Sequence, residues 1–264
     1  MDLSDIFGGN SDNDSSDQVQ LLVLGDTHVG YRHRSSSKKG KWAQSTDDLG
    51  AFRRALDLAR ELDVDAIVHA GDVFDHQEKQ SDRDAVAEQI DRSVEAGIPF
   101  YYICGNHDKQ DGRHALAQTL GTHLSEASTT IGSSSVDLIG YDHMGSDFPT
   151  RKFGSSSDTH SNQTILVIHE SPHPVVDNSG KLLYQADSNK ADVSHYIEKA
   201  TFEIDLIITG HLHVADQPRV RGHDIPVLVT GPTIPISKYK KASKPSTWIL
   251  TATDSGINID RQPV

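Results

Sequence analysis

The first regular stretch of the chain is an apolar run from Val19 to Leu24, broken only by Gln20, and it ends in Gly25 before delivering Asp26 and His28 two residues apart. A short apolar run closed by a glycine reads as a buried strand handing polar side chains to the loop at its carboxyl end. A helical period follows from about Asp47 to Leu62, with Phe52, Ala55, Leu56 and Ala59 on one face. Ala66 to His69 reads as a second strand, running into Gly71 and Asp72. The pattern then predicts a helix from about Asp82 to Ala96, closed by Gly97, with Pro99 leading into a strand over Phe100 to Cys104. Further strands are expected at Val136 to Tyr141, Thr164 to Ile168, Asp205 to Thr209, Val227 to Thr230, Thr247 to Thr253 and Ile257 to Asp260. This alternation predicts a layered α/β architecture.

The polar stretches divide the chain. Residues 1–18 are rich in Asp, Ser, Asn and Gly, and are expected to form a disordered acidic tail ahead of one domain over residues 19–264. The Ser-rich segment from Gly154 to Asn162 is expected to be a mobile loop. No internal repeat is evident.

Five strand ends carry groups that bind metals: Asp26-x-His28, Gly71-Asp72-x-x-Asp75, Gly105-Asn106-His107-Asp108, His169-Glu170 and Gly210-His211-x-His213. Each follows an apolar run, so folding could gather all five at one sheet edge. Carboxylate, imidazole and amide together suit divalent Mn, Fe or Zn, and the lack of thiolates in these motifs argues against a structural zinc site. An Asp between two ligand sets could bridge two ions about 3.5–4 Å apart, the separation used for in-line attack on phosphorus.

Charge changes the picture of the substrate. A formal net charge of −13 speaks against a nucleic-acid partner, because phosphate binding rests on basic surface. Two basic runs work against that sum: Arg32, Arg34, Lys38, Lys39 and Lys41 after the first ligand pair, and Lys238, Lys240, Lys241 and Lys244 after the last. If the ligands meet, these runs could give a locally basic rim; the competing reading is ordinary solvated loops. The lone Cys104 excludes an internal disulfide framework and fits a reducing compartment. No signal-peptide pattern and no membrane-length apolar run are present, so a cytoplasmic location with no membrane contact is expected.

The order of these motifs resembles the calcineurin-like metallophosphoesterases. That resemblance implies a single-domain α/β fold, a sandwich of two β-sheets flanked by helices. It implies that Asp26, His28, Asp72 and His213 hold one divalent metal ion and that Asp72, Asn106, His169 and His211 hold a second, with Asp72 shared. The ions are expected to be Mn, with Fe or Zn as alternatives, and the nucleophile a metal-activated hydroxide. His107 then faces the scissile phosphate, with Asp108 orienting its ring. Within the superfamily, Asp26-Thr27-His28-Val29-Gly30-Tyr31 and Gly71-Asp72-Val73-Phe74-Asp75 look like the SbcD-type DNA repair exonucleases. DNA or another phosphodiester is therefore the expected substrate. Such nucleases continue into a capping domain and a segment that binds a partner ATPase; with the chain stopping at Val264, that segment is expected to be absent. A phosphatase or phosphodiesterase acting on small nucleotides is the alternative enzyme, and a scaffold without turnover the alternative outside enzymes.

Other candidates are read blandly. His69 is expected as a satisfied core residue or a neighbour of the ligands, Glu170 as a support for His169, and Cys104 as core. Asp75 stands where some relatives carry histidine and keeps an open role; His76 has none. His33, His114, His123, His143, His160, His173, His195 and His223 are taken as surface residues.

Overall fold

The computed structural model describes residues 18–31, 47–76, 78–108, 116–124, 128–132, 136–148, 163–185, 190–235 and 245–264. The acidic tail except Gln18, both basic runs and the Ser-rich loop fall outside these residues. In chain order the elements are β1 (Val19–Leu24), α1 (Asp48–Glu61), β2 (Ala66–His69), α2 (Gln80–Glu95), β3 (Phe100–Tyr102), β4 (Thr122–His123), β5 (Ser128–Ile131), β6 (Val136–Gly140) and β7 (Gln163–Ile168). There follow β8 (Ser171–His173), β9 (Val175–Val176), β10 (Lys190–Asp192), α3 (Val193–Lys199), β11 (Leu206–Thr209), β12 (Arg219–Val220), β13 (Val227–Val229), β14 (Ser246–Thr253) and β15 (Gly256–Pro263).

Two sheets are stacked. One has the order β15-β14-β1-β2-β3-β4 and the other β13-β11-β7-β6-β5. Strands β1 to β4 run parallel, as do β13, β11, β7 and β6; β14 lies antiparallel to β1, β15 antiparallel to β14, and β5 antiparallel to β6. Strand alternation explains how both faces of each sheet are buried. Leu21 and Val23 of β1 meet Ile165 and Val167 of β7 in the layer between the sheets. Leu22 and Leu24 point the other way, onto Phe52, Leu56, Val86 and Ile90 of the two long helices. On the far face, Leu166, Ile168 and Ile207 pack with Tyr196 of α3. The expected sandwich of two β-sheets flanked by helices is the observed one.

The helix ends show why the sequence stops and starts where it does. The Asp47 carboxylate accepts a hydrogen bond from the Gly50 amide at 3.1 Å, capping α1. Helix α2 begins two residues before the expected start, because the Asp82 carboxylate accepts from the Lys79 amide at 2.8 Å and secures an extra half-turn. Gly97, at φ +92°, then ends the helix as its position predicts. Strands β4, β5, β8, β9, β10 and β12, two to four residues each, carry no legible period. Phe52 is fully buried between α1 and the sheet. Phe52→Ala is expected to lower unfolding stability by about 3–5 kcal/mol, read as a lower urea midpoint.

Because the parallel strands share a direction, β1, β2, β3, β7 and β11 release their chains at one end of the sandwich. Among the described residues no helix is long and apolar enough to cross a membrane, which says nothing of crossing by strands.

Candidate metal centre

The five strand ends converge as the motif spacing predicted. Ligand atoms of Asp26, His28, Asp72 and His213 all lie within 4.8 Å of one another. His28 Nε2 and His213 Nε2 approach to 3.0 Å. Two donors, each ~2.1 Å from one ion and at right angles, stand ~3.0 Å apart, so this spacing fits a shared cation. His213 Nε2 lies 3.7 Å from Asp26 Oδ1, and His28 Nε2 lies 3.6 Å from Asp72 Oδ2. The same Asp72 Oδ2 is 3.2 Å from His169 Nε2. Beyond it, His211 Nδ1 is 2.9 Å from Asn106 Oδ1. Asp72 thus touches residues of both sets that the family resemblance implies.

The backbone is bent to achieve this. Asp26, His28, Asp72, His211 and His213 all have positive φ, between 44° and 74°; among the described non-glycine residues only Asp63 and Tyr184 share that conformation. Such conformations cost about 1–3 kcal/mol each and persist where the surroundings over-determine them. Gly105 shows how tight the approach is: a Cβ there would sit 2.2 Å from Asp72 Oδ1 and 2.5 Å from the Asp72 nitrogen. A network of backbone bonds completes the frame. The Asp26 amide donates to the Gly71 carbonyl at 3.0 Å, the His28 amide to the Asp72 carbonyl at 3.0 Å, and the His107 amide to Asp72 Oδ1 at 2.8 Å.

The electrostatics call for a cation. Asp26 and Asp72 are both buried, and burial together with the Asp72 charge raises the Asp26 pKa against the pull of His169 and His28. Burial also works against the Asp72 charge, but His169, His28 and His107 overcome it and hold that carboxyl well below its usual range. The His169 ring rises to about 10, since Asp72 and Asp26 outweigh its burial. Burial and the neighbouring His28 depress His213 to about 3, leaving a neutral imidazole with a lone pair to donate. Asp26 Oδ2 and His169 Nε2 are buried without a hydrogen-bond partner. Orphaned donor atoms among two carboxylates and four imidazoles fit a divalent metal.

The mouth of the site holds His107, whose side chain is 24% exposed. His28 meets it edge-on at 4.7 Å between ring centres, and the exposed His76 ring stacks on it at 4.0 Å. Asp108 departs from the expected role. Its Oδ1 accepts from the Phe74 amide at 3.0 Å, and its Oδ2 from the Val73 amide at 3.1 Å and the Gly105 amide at 2.9 Å, so both oxygens hold backbone rather than the His107 ring. The carboxylate that faces His107 is Asp75, with Oδ2 3.8 Å from Nδ1 and 3.7 Å from His28 Nδ1. Asp108 therefore staples the Asp72 loop to the His107 loop. Asp108→Ala strands three buried amides at about 1–3 kcal/mol each, and is expected to cost about 3 kcal/mol or more in thermal unfolding while weakening metal uptake.

Some supporting residues were expected and one was missed. His69 is buried with Nε2 3.0 Å from Thr27 Oγ1, and burial lowers its pKa to about 3, so it is a neutral neighbour of the ligands. Glu170 Oε1 accepts from the Met144 and Gly145 amides at 2.6 and 2.8 Å. His143, read from sequence as surface, packs face-on against the His211 ring at 5.6 Å and places Nδ1 2.9 Å from the His169 carbonyl oxygen. The signal was present: His143 follows the predicted strand Val136 to Tyr141, at the same kind of strand end as the ligands.

The model of the calcineurin-like phosphoesterase family matches residues 19–215. The chain belongs to the calcineurin-like phosphoesterase family. The calcineurin-like fold binds two divalent metal ions, in keeping with the candidate ligand clusters found here. Among its relatives, the DNA double-strand break repair protein Mre11 of Methanosarcina acetivorans is 27% identical over 263 residues, covering 94% of this chain and 39% of that protein. The Mre11 of Sulfurisphaera tokodaii is 26% identical over 261 residues, covering 92% of this chain and 63% of that protein. The chain thus spans less than two thirds of either relative. A dimetal phosphatase from Danio rerio shares the fold, with a TM-score of 0.52 at 10% identity over 91% of this chain and 98% of that one. As a calcineurin-like phosphoesterase, the chain is a metallophosphoesterase-type hydrolase.

Proposed function

We propose that this calcineurin-like phosphoesterase hydrolyses the phosphodiester backbone of DNA as a cytoplasmic exonuclease of the repair type, using two manganese ions. Asp26, His28, Asp72 and His213 would hold one ion, and Asp72, Asn106, His169 and His211 the other. The observation that carries this reading is the Asp72 carboxylate, buried with Oδ2 3.6 Å from His28 and 3.2 Å from His169. When bound, the ions supply Lewis acidity and lower the pKa of water toward neutrality.

The protein's own groups do the rest. His107 has its amide fixed on Asp72 Oδ1 and its ring at the open side of the site, where it can donate a hydrogen bond to a phosphate oxygen or a proton to the leaving oxygen. Asp75 faces that ring and can orient it, and Asp108 keeps the two loops in register. The buried strand ends exclude water from all but the mouth. Support for DNA comes from the Mre11 relatives and from the basic runs Arg32 to Lys41 and Lys238 to Lys244. The second reading is a phosphatase or phosphodiesterase on small nucleotides; the dimetal phosphatase shows that this fold also carries phosphatases.

The purified protein with Mn(II), on linear DNA, closed circular DNA and a small synthetic diester, separates the two. The nuclease reading expects chelator-sensitive loss of linear DNA from its ends; cleavage of the small diester alone would replace it with the small-substrate reading.

A further inference from the structure

A second cluster of ligand atoms lies where the two sheets come together, and shares no residue with the candidate two-ion centre. Cys104 leaves β3, His123 ends the edge strand β4, and Asp142 follows β6 of the other sheet by two residues. One ligand atom from each falls within 4.8 Å of the others. Cys104 Sγ is 3.8 Å from His123 Nε2, and Asp142 Oδ1 is 2.7 Å from the same Nε2.

The shared nitrogen decides between two chemistries. A nucleophilic thiol relay places the imidazole between thiol and carboxylate, one on each ring nitrogen. Here both face Nε2, so sulfur, nitrogen and oxygen converge on one point, as ligands do. We infer that Cys104, His123 and Asp142 form a three-ligand site for a thiophilic divalent cation, zinc first among them.

The set of donors suits that ion. Zinc accepts thiolate, imidazole and carboxylate in tetrahedral sites, with water free to take a fourth position. Sulfur at ~2.3 Å and nitrogen and oxygen at ~2.0–2.1 Å from a tetrahedral ion stand about 3.6 Å (S to N) and 3.3 Å (N to O) apart. The thiol–imidazole distance meets this to within a few tenths of an ångström, and the imidazole–carboxylate pair has only to open by roughly half an ångström. Two of the ligands are already held in place. The His123 ring stacks on Tyr102 at 5.0 Å, and the Cys104 amide donates to Asp142 Oδ1 at 2.8 Å. Cys104 is buried, whereas His123 and Asp142 keep 25% and 14% of their side chains exposed, which opens a path for the ion from solvent. Cys104 directly precedes the Gly105–Asp108 loop, so an ion here would clamp the base of the loop that carries Asn106 and His107.

The chain has one cysteine, which makes the test specific. The 264-residue chain, stripped with chelator and titrated with Co(II), should develop the near-ultraviolet sulfur-to-cobalt charge-transfer absorption of one thiolate per chain, and Zn(II) should bleach it. No sulfur belongs to the two-ion centre, so Co(II) bound there is silent in this band. His123→Gln keeps the bulk of the ring position and the thiol, and is expected to weaken the Co(II) that produces the band by at least about tenfold, with circular dichroism unchanged. Cys104→Ser should abolish the band. Absence of the band in the unsubstituted protein overturns the site and leaves a hydrogen-bonded cluster. A band that persists at the same Co(II) concentration in His123→Gln also overturns it, because the thiol then binds alone.

Discussion

Asp72→Asn is expected to reduce metal-dependent hydrolysis by on the order of 10³-fold or more, with the folded state retained. The asparagine keeps the shape of the side chain and an oxygen for the His107 amide, which now donates to Asp72 Oδ1 at 2.8 Å. It removes the charge that faces both His28 and His169. It also removes the carboxylate that lifts the His169 pKa to about 10 and is itself held below its usual range by His169 and His28. The chelated variant should therefore unfold somewhat earlier than the chelated parent, the relief of repulsion on the buried Asp26 offsetting only part of the loss. Thermal unfolding with and without Mn(II) checks both halves. The parent should gain stability from the metal by mass action, and the variant should gain little. A variant that is inactive but still stabilised to the same extent would remove Asp72 from its place between the ions.

His107→Ala should behave in the opposite way. Its ring is not needed to gather Asp26, His28, Asp72 and His213, so Mn(II) binding is expected to stay within a few-fold of the parent. Turnover should fall by about 10²–10⁴-fold, the usual range for a positioned proton donor or oxyanion partner. A diester with a good leaving group needs less protonation. On such a substrate a smaller loss would mark His107 as the acid, and an equal loss would mark it as the group that stabilises charge on phosphorus. Unchanged turnover on both substrates would leave His107 without a chemical role. Asp75 and His76 flank this ring, so substitutions there should alter the size of the His107 effect rather than add to it.

The candidate ligands were legible because a buried parallel strand leaves so plain a trace. Val19 to Leu24 and Thr164 to Ile168 are apolar on both faces, and the first polar residues after them fall at the same end of the sandwich. Chain order therefore predicted spatial neighbours separated by as many as 185 residues, such as His28 and His213. Side-chain roles were harder to read. Asp108 follows His107 directly, yet its carboxylate is spent on the amides of Val73 and Phe74, 35 and 34 residues away. The bond from the Gly105 amide is local to Gly105-Asn106-His107-Asp108, but those from Val73 and Phe74 depend on how β2 and β3 pair. His143 and His123 were hidden for another reason. A lone histidine has no period: His143 acquires meaning only when the ends of β6, β7 and β11 gather side by side, and His123 only when β4 meets the Asp142 loop of the other sheet. The left-handed conformations at Asp26, His28, Asp72, His211 and His213 are equally invisible in residue type, since none of these positions is glycine.

Electron paramagnetic resonance of the protein titrated with Mn(II) reports whether two ions share the Asp72 carboxylate. A carboxylate shared by two ions couples their spins. The second equivalent of Mn(II) is expected to convert the spectrum of an isolated ion into that of an exchange-coupled pair, and Asp72→Asn to abolish the coupling. Uptake of one ion alone, or of two that remain magnetically independent at saturation, would contradict a two-metal centre built on Asp72.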